Sequence, residues 1–289
     1  MRDYAITTDS SCDFDQALAD SLGVTVVPLS VQIGPRRFRN APGEAMDSHS
    51  FYQLLSQGEL AQTSAPNVEE FKAVWRPILQ SGRDLLYLGF SSGLSGTYHN
   101  AAIAAEDLRE EFPEARIITV DTLCASLGQG MLVDLTVQEK RQGKTLDEAA
   151  AFAEKNRLHL CHWFTVGDLS QLRRGGRLSA GKAIVGNLLN IKPVLHVDDE
   201  GHLVPMASAK GRKKSIEALV SHMEESAVAP EQQRVYISHG DCLADAQLLA
   251  QMVRDRLHVS SVTIGEVGPV IGAHSGAGTL ALFFVGTHR

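Results

Sequence analysis

Hydrophobic residues in the first half of the chain form short continuous runs that alternate with longer, helically periodic segments. The continuous runs predict buried strands over residues 4–8, 24–29, 85–90 and 116–121. The intervening segments predict helices over residues 13–22, 50–57, 67–79, 95–111, 125–141 and 146–157. Repeated alternation of strand and helix predicts a parallel sheet covered on both faces.

Three of these helix starts carry a capping signature, a polar residue followed three positions later by Glu or Gln. The pairs are Asp13 with Gln16, Asn67 with Glu70, and Thr145 with Glu148. We therefore expect the side chains of Asp13, Asn67 and Thr145 to cap their helices.

The pattern changes after residue 158. A short helix is predicted over 168–173, closed by Gly175 and Gly176, and strands over 192–197 and 203–208 are joined by a turn. The remaining predicted elements are a helix over 212–225, a strand over 234–239, a helix over 244–257 and strands over 261–267 and 279–286. We place a domain boundary near residue 160, giving α/β domains over residues 1–160 and 161–289.

Composition narrows the class of protein. A chain of 289 residues with 44% hydrophobic and 21% charged residues is typical of a folded protein of two domains. The formal net charge of -7 argues against broad attraction to nucleic acid.

The cysteines and the apolar runs indicate a cytoplasmic protein. Cys12, Cys124, Cys161 and Cys242 are scattered and form no zinc-like spacing, so we expect reduced thiols and no metal. The N-terminus lacks the apolar stretch of a signal peptide, and the strongest apolar run, 280–285, is too short to span a bilayer. We expect no stable membrane insertion.

Residues 90–98 contain the first candidate site. They follow a buried strand and precede a helix, and ligands bind at this edge of open α/β sheets. A helix N-terminus favours anions, and Ser95 adds a hydroxyl donor. The alternative is a loop whose serine only caps the helix.

A second hydroxyl-rich loop, residues 62–67, also stands at a helix start and includes Thr63 and Ser64. If both loops are neighbours, two helix N-termini and several hydroxyls converge on one anion. Simple capping by Asn67 is the alternative.

The third candidate is His274, which lies among glycines in residues 268–278. The glycines imply close backbone approach or positive φ, and a histidine there can donate to an anion or relay a proton. A structural histidine bonded to a carbonyl is the alternative.

Arginines 173, 174 and 177 cluster near a predicted helix C-terminus. Arginine suits carboxylate or phosphate recognition. For at least two of the three, a favourable interaction with the helix dipole on a solvated face is the better explanation.

Together these segments resemble the DegV family, fatty-acid-binding proteins that include the lipid-carrying subunit of bacterial fatty acid kinase. The matching segments are Thr8-Asp9-Ser10-Ser11, Thr63-Ser64-x-Pro66, residues 91–98, residues 172–177, Ile191-Lys192-Pro193 and residues 268–278. They follow one another from residue 8 to residue 278, so the resemblance covers nearly the whole chain.

The resemblance implies two α/β domains: an N-terminal one with a mostly parallel sheet flanked by helices, and a C-terminal one with a mixed sheet. It implies a carrier that buries a long-chain fatty acid, without a cofactor, and presents its carboxylate to a partner kinase subunit. Thr63, Ser64, Ser95 and His274 would contact the carboxylate, and Arg173 would assist phosphorylation, with Arg174 and Arg177 as alternatives. The supporting loop positions would be Ser92, Gly93, Gly96, Thr97 and Gly272. Asn67 departs from the family's common serine after Pro66.

Two other functions stay open at this point. A Ser/His hydrolase would use Ser95 and His274, but it needs an acid partner and an oxyanion hole. An interaction module with a basic surface is disfavoured by the net charge. No nucleotide-binding motif is recognisable, so we expect a binding protein and not an enzyme.

Overall fold

The computed structural model describes residues 2–44, 46–167, 169–179 and 190–289. Its strands are β1 (Tyr4–Asp9), β2 (Thr25–Val27), β3 (Ser30–Ile33), β4 (Arg36–Arg39), β5 (Ala61–Ser64), β6 (Asp84–Gly89), β7 (Ile117–Asp121), β8 (Leu160–Thr165), β9 (Ile191–Val197), β10 (Leu203–Lys210), β11 (Arg234–His239), β12 (Ser261–Glu266) and β13 (Leu280–Val285). Its helices are α1 (Gln16–Leu22), α2 (Ser48–Ser56), α3 (Val68–Gln80), α4 (Thr97–Glu111), α5 (Ser126–Arg141), α6 (Leu146–Asn156), α7 (Ser170–Arg174), α8 (Arg212–Ser226), α9 (Leu243–Leu257) and α10 (Pro269–Ser275).

The first sheet is parallel, in the order β2-β1-β6-β7. Alternate residues of each strand point to opposite faces, so both faces of this apolar sheet need a cover. Helices α3 and α4 pack on one face around Trp75 and Tyr87. Helices α5 and α6 pack on the other face, around Leu86 and Leu88. The predicted parallel sheet flanked by helices is confirmed.

The second sheet is mixed and six-stranded, in the order β10-β9-β8-β13-β11-β12. Only β11 and β12 pair in parallel, and the other pairs are antiparallel. Helices α8 and α9 cover one face. Helix α5 packs on the other face and also on the first sheet, so it lies between the two sheets. The domain division near residue 160 stays a prediction.

A small antiparallel sheet, β4-β3-β5, corrects two of our predictions. We predicted no element between residues 29 and 50 apart from the helix that begins at 50, and residues 30–39 form the β3–β4 hairpin. Thr63 and Ser64 were expected in a loop, and they lie on β5. The predicted strand over 24–29 is also shorter than expected, because β2 ends at Val27.

The cap of the first helix was predicted wrongly. Asp15, and not Asp13, accepts from Leu18 N at 2.7 Å and caps α1. Asp13 instead adopts a left-handed conformation with φ 55 at the end of the short 3₁₀ helix before α1. The two predicted capping boxes at Asn67 and Thr145 are confirmed.

Three further differences bear on the site. Strand β8 was not predicted, although its side chains are buried throughout. The glycine-rich segment around His274 forms helix α10, whereas we had inferred only close approach or positive φ there. The short helix predicted from residue 168 begins at Ser170 in α7, and Asp168 lies outside the described residues.

Among the helices of the described ranges, none combines the length and apolar character needed to cross a membrane.

Candidate functional site

A cavity of about 220 Å³ lies in the interior, bordered by α5, α10 and the α5-facing side of the six-stranded sheet. Its volume is far above the roughly 10–15 Å³ that holds one water molecule. Most of its lining is aliphatic or aromatic, as at Phe90, Leu94, Phe164, Val270 and Phe283. Such a lining favours an apolar guest.

A polar cluster interrupts this lining: Thr63, Ser95, Arg177 and His274. Thr63 Oγ1 and His274 Nε2 are 2.8 Å apart. Arg177 Nε donates to the carbonyl of Leu94, next to Ser95, at 3.2 Å. One cavity is thus lined by Thr63, Ser95 and His274, which the sequence singled out, and by Arg177 from the group of three arginines.

Two secondary-structure elements position the Thr63–His274 pair. Thr63 pairs with Val31 of β3, which fixes the direction of its side chain. His274 lies in the last turn of α10, which contacts β5. The pair therefore joins residues 211 positions apart in the sequence.

His274 is held as a neutral ring. Burial, with a smaller contribution from the positive charge of Arg177, lowers the pKa of His274 from its usual 6.5 to about 4. At neutral pH the ring nitrogens are therefore one donor and one acceptor. A carboxylate bound beside the ring would favour its protonated form.

Gly175 allows this placement of the ring. A Cβ added at Gly175 would lie 2.5 Å from His274 Nδ1, a distance that real contacts do not tolerate. Gly175 has an ordinary helical backbone, with φ -72, so the requirement is space and not conformation.

We expect Gly175→Ala to displace the His274 ring and weaken ligand binding about tenfold, the loss of roughly one hydrogen bond to a charged group. The measurement is the affinity of Gly175→Ala, His274→Ala and the double variant for a long-chain fatty acid, the ligand that the family resemblance implies. Because the clash needs the ring, Gly175→Ala should add little in the His274→Ala background. Fully additive losses would show that Gly175 acts elsewhere.

Ser95 is oriented by the start of α4. Its Oγ lies 2.8 Å from Thr97 Oγ1 and accepts from Thr97 N at 3.2 Å. Thr97 is buried, while Gly96 lines the cavity beside Ser95. The Ser95 hydroxyl therefore sits next to the N-terminus of a 15-residue helix, where partial positive charge accumulates.

Asp9 anchors the Ser95 loop, a role that the sequence did not reveal. Its carboxylate is fully buried and accepts from Phe90 N at 2.9 Å and from Tyr87 OH at 2.7 Å. Gln129 Nε2 adds a longer contact of 3.3 Å. Burial raises the pKa of Asp9, and hydrogen bonds from Ser11, Tyr87 and Phe90 oppose the rise. The carboxylate thus fixes the first residue after β6, where the loop begins.

Several predicted site residues lie away from the cavity lining. Ser64 is exposed, because neighbouring residues of a strand point to opposite sides. Ser92 is exposed too, and its N–H donates to Asp121 at 3.2 Å. Gly93 and Gly272 serve close packing: an added Cβ would lie 2.7 Å from Glu200 O and 2.5 Å from Tyr52 OH, respectively.

The three arginines also separate. All three are exposed, but only Arg177 also lines the cavity, and Arg173 and Arg174 lie on the last turn of α7 away from it. The geometry of a Ser/His hydrolase is not found either: within the described ranges no hydrogen bond joins Ser95 to His274, and His274 Nε2 is engaged by Thr63. A hydrolytic pair needs that contact.

Among the residues that the structure describes, one group of side chains has ligand atoms close enough together to hold a metal ion: Asp198, Glu200 and His202. These residues lie in the turn between β9 and β10, and none lines the cavity. Exposed acidic groups of this kind are common without an ion.

Fold and site together define a class: an α/β protein with a parallel and a mixed sheet, and a largely apolar cavity whose wall carries the polar residues Thr63, Ser95, Arg177 and His274. The model of the DegV family, described as uncharacterised proteins, matches residues 3–287. A DegV domain-containing protein of Clostridium perfringens is 41% identical over 286 residues, covering 99% of this chain and 98% of that protein. The chain belongs to the DegV family.

Solved structures agree with this assignment. A DegV family protein from Thermus thermophilus that is described as binding fatty acid superposes with a TM-score of 0.87 at 33% identity. The match covers 98% of this chain and 99% of that one. A DegV lipid-binding protein from Thermotoga maritima gives a TM-score of 0.88 at 28% identity, covering 99% of each chain. DegV from Bacillus subtilis, a fatty-acid-binding protein, gives a TM-score of 0.85 at 27% identity. The match covers 98% of this chain and 99% of that one.

Proposed function

We propose that this chain is a cytoplasmic carrier that buries a long-chain fatty acid in the cavity and presents its carboxylate to a partner kinase. The carboxylate would contact Thr63, Ser95 and His274. The observation that carries the proposal is the Thr63–His274 pair, 2.8 Å apart, on the wall of a largely apolar cavity. The fatty-acid-binding proteins among its structural relatives support it.

The acyl tail and the carboxylate would contribute differently to the binding free energy, because the lining is mostly apolar with a few polar residues. Burying one CH₂ contributes about 0.8 kcal/mol, so about fifteen carbons contribute on the order of 10 kcal/mol. Hydrogen bonds to a charged group contribute roughly 1.5–3 kcal/mol each. The tail therefore sets affinity, and the polar cluster sets orientation and head-group choice.

Presentation to a kinase is supported by the arginines of α7. Arg173 and Arg174 are exposed at a helix end beside Arg177, which reaches the cavity. A guanidinium there is accessible to a phosphate brought by a partner, and its fork suits phosphate oxygens. This chain would supply the bound acid and the arginine, and the partner would supply the nucleotide site.

We expect the purified protein to carry one long-chain fatty acid per chain. Native mass spectrometry should show the added mass, and organic extraction should release the acid. Protein that is repeatedly empty and that also fails to take up added palmitate or oleate would overturn the proposal.

Fatty-acid binding should also raise the pKa of His274 above its value of about 4 in the free protein. The complex then holds more protons than the free protein between the two pKa values. Affinity should therefore strengthen as pH falls across that interval, while the ligand stays ionised, and should be flat above it. NMR titration of the His274 ring with and without ligand measures this, with His274→Gln for assignment. An unmoved or lowered pKa would mean that the carboxylate lies elsewhere.

A further inference from the structure

The cavity holds a second polar feature, remote in sequence from the residues assigned to the carboxylate. Ser126, at the start of α5, and Ser238, on β11, both line it, with their hydroxyl oxygens 3.1 Å apart. Ser126 Oγ donates to the carboxylate of Asp13 at 2.5 Å. Ser238 is fully buried and Ser126 is 5% exposed.

This hydrogen-bond chain leaves acceptor capacity facing the cavity. Ser126 has one hydroxyl proton, and it donates this proton in the hydrogen bond to Asp13 Oδ2, so the Ser238 hydroxyl can donate to Ser126 Oγ. The oxygen of Ser238 keeps lone pairs with no assigned donor among the described residues. A ligand hydroxyl that donates to this oxygen would add a hydrogen bond that methylene groups cannot supply.

The sheet provides room beside Ser238. Its neighbour across the sheet is Ala281 of β13, and the next residue in that row is Phe164 of β8. All three line the cavity. A small residue between a serine and a phenylalanine lets a ligand atom approach the hydroxyl.

Ser275 gives an independent indication. It lines the same cavity and is 6% exposed, and its Oγ has no hydrogen-bond partner within the described residues. Buried hydroxyls are normally satisfied. A cavity with two incompletely used hydroxyl positions beyond its carboxylate contacts suits a guest that carries a further oxygen.

We propose that the cavity selects oxygenated acyl chains, and specifically a hydroxy fatty acid whose tail hydroxyl hydrogen-bonds the Ser126–Ser238 pair. This inference rests on the proposed carrier function and names its substrate class. The tail hydroxyl donates to Ser238 Oγ, and the rest of the chain remains against the apolar lining.

The test compares octadecanoic acid with monohydroxyoctadecanoic acids whose hydroxyl stands at successive positions. Affinities are measured by competition with a fluorescent fatty acid for the wild type, Ser238→Ala and the control Ser215→Ala, a buried serine outside the cavity lining. In the wild type we expect one narrow range of positions to bind about five- to tenfold tighter than the parent acid, the effect of one hydrogen bond. That ratio should fall to about one in Ser238→Ala and persist in Ser215→Ala.

Each other outcome overturns the inference. If every hydroxy acid binds the wild type no better than octadecanoic acid, the cavity is a plain acyl site and the carrier function stands without this specificity. If the preference survives in Ser238→Ala, the hydroxyl is held elsewhere. If no acid binds, the carrier function fails, and the substrate class fails with it.

Discussion

Replacing Thr63 and Ser95 together by alanine should weaken fatty-acid binding by about a hundredfold or more, with little change in the fold. Each hydroxyl lost is a hydrogen bond to a carboxylate, worth roughly 1.5–3 kcal/mol. Thr63 is half-buried on β5, and Ser95 precedes α4, so neither anchors the core. Affinity by fluorescence competition and lipid content by mass spectrometry measure the effect, and circular dichroism checks the fold.

Ser64→Ala is the matched control, since it removes a hydroxyl from the same strand on the side away from the cavity. It should bind like the parent. A loss in Ser64→Ala would restore the sequence-based expectation that Ser64 contacts the carboxylate. Unchanged affinity in the folded Thr63/Ser95 double variant would falsify the head-group role.

Arg173→Ala should keep the bound fatty acid yet reduce acyl-phosphate formation by about a hundredfold or more when a cognate kinase and ATP are added. Arginines that stabilise a transferring phosphoryl group contribute effects of this size or larger. Arg173 is exposed at the end of α7 and lies outside the cavity lining, so its loss should leave retention intact. The assay is fatty-acid-dependent ATP consumption alongside lipid content.

The neighbouring arginines sharpen this experiment. Arg177 lines the cavity and donates to the carbonyl of Leu94, so Arg177→Ala should weaken fatty-acid binding itself. Arg174→Ala tests whether the neighbouring exposed arginine, and not Arg173, contacts the phosphate. Full activity in Arg173→Ala would show that the assignment is wrong. Full activity in all three variants would leave the cluster as a solvated helix end.

Local signals explain the parts of the fold that the sequence predicted well. The capping boxes at Asn67 and Thr145 depend on a spacing of three residues, which the sequence displays directly. The buried strands β1 and β6 are continuous apolar runs, as fully covered parallel strands must be. The same local logic chose Asp13 as a cap two residues too early, because both Asp13 and Asp15 have capping chemistry.

Long-range pairing explains what was missed around the site. Strands β3, β4 and β5 are short and partly polar, and they become strands because they pair with one another. Gly272 within α10 disfavours a helix by propensity, and packing against β3 and β5 overrides that preference.

The sequence by itself determined the alternation of strands and helices, the resemblance to the DegV family and a set of candidate polar residues. Only the tertiary structure decided which of them face the cavity: it placed Thr63 on a strand against His274, turned Ser64 away, and brought Arg177 rather than Arg173 to the lining. It also joined Asp13, Ser126 and Ser238 inside the protein. The reason is physical: propensities and caps act over a few residues, whereas a cavity wall is assembled from segments that meet only when the sheets and helices pack.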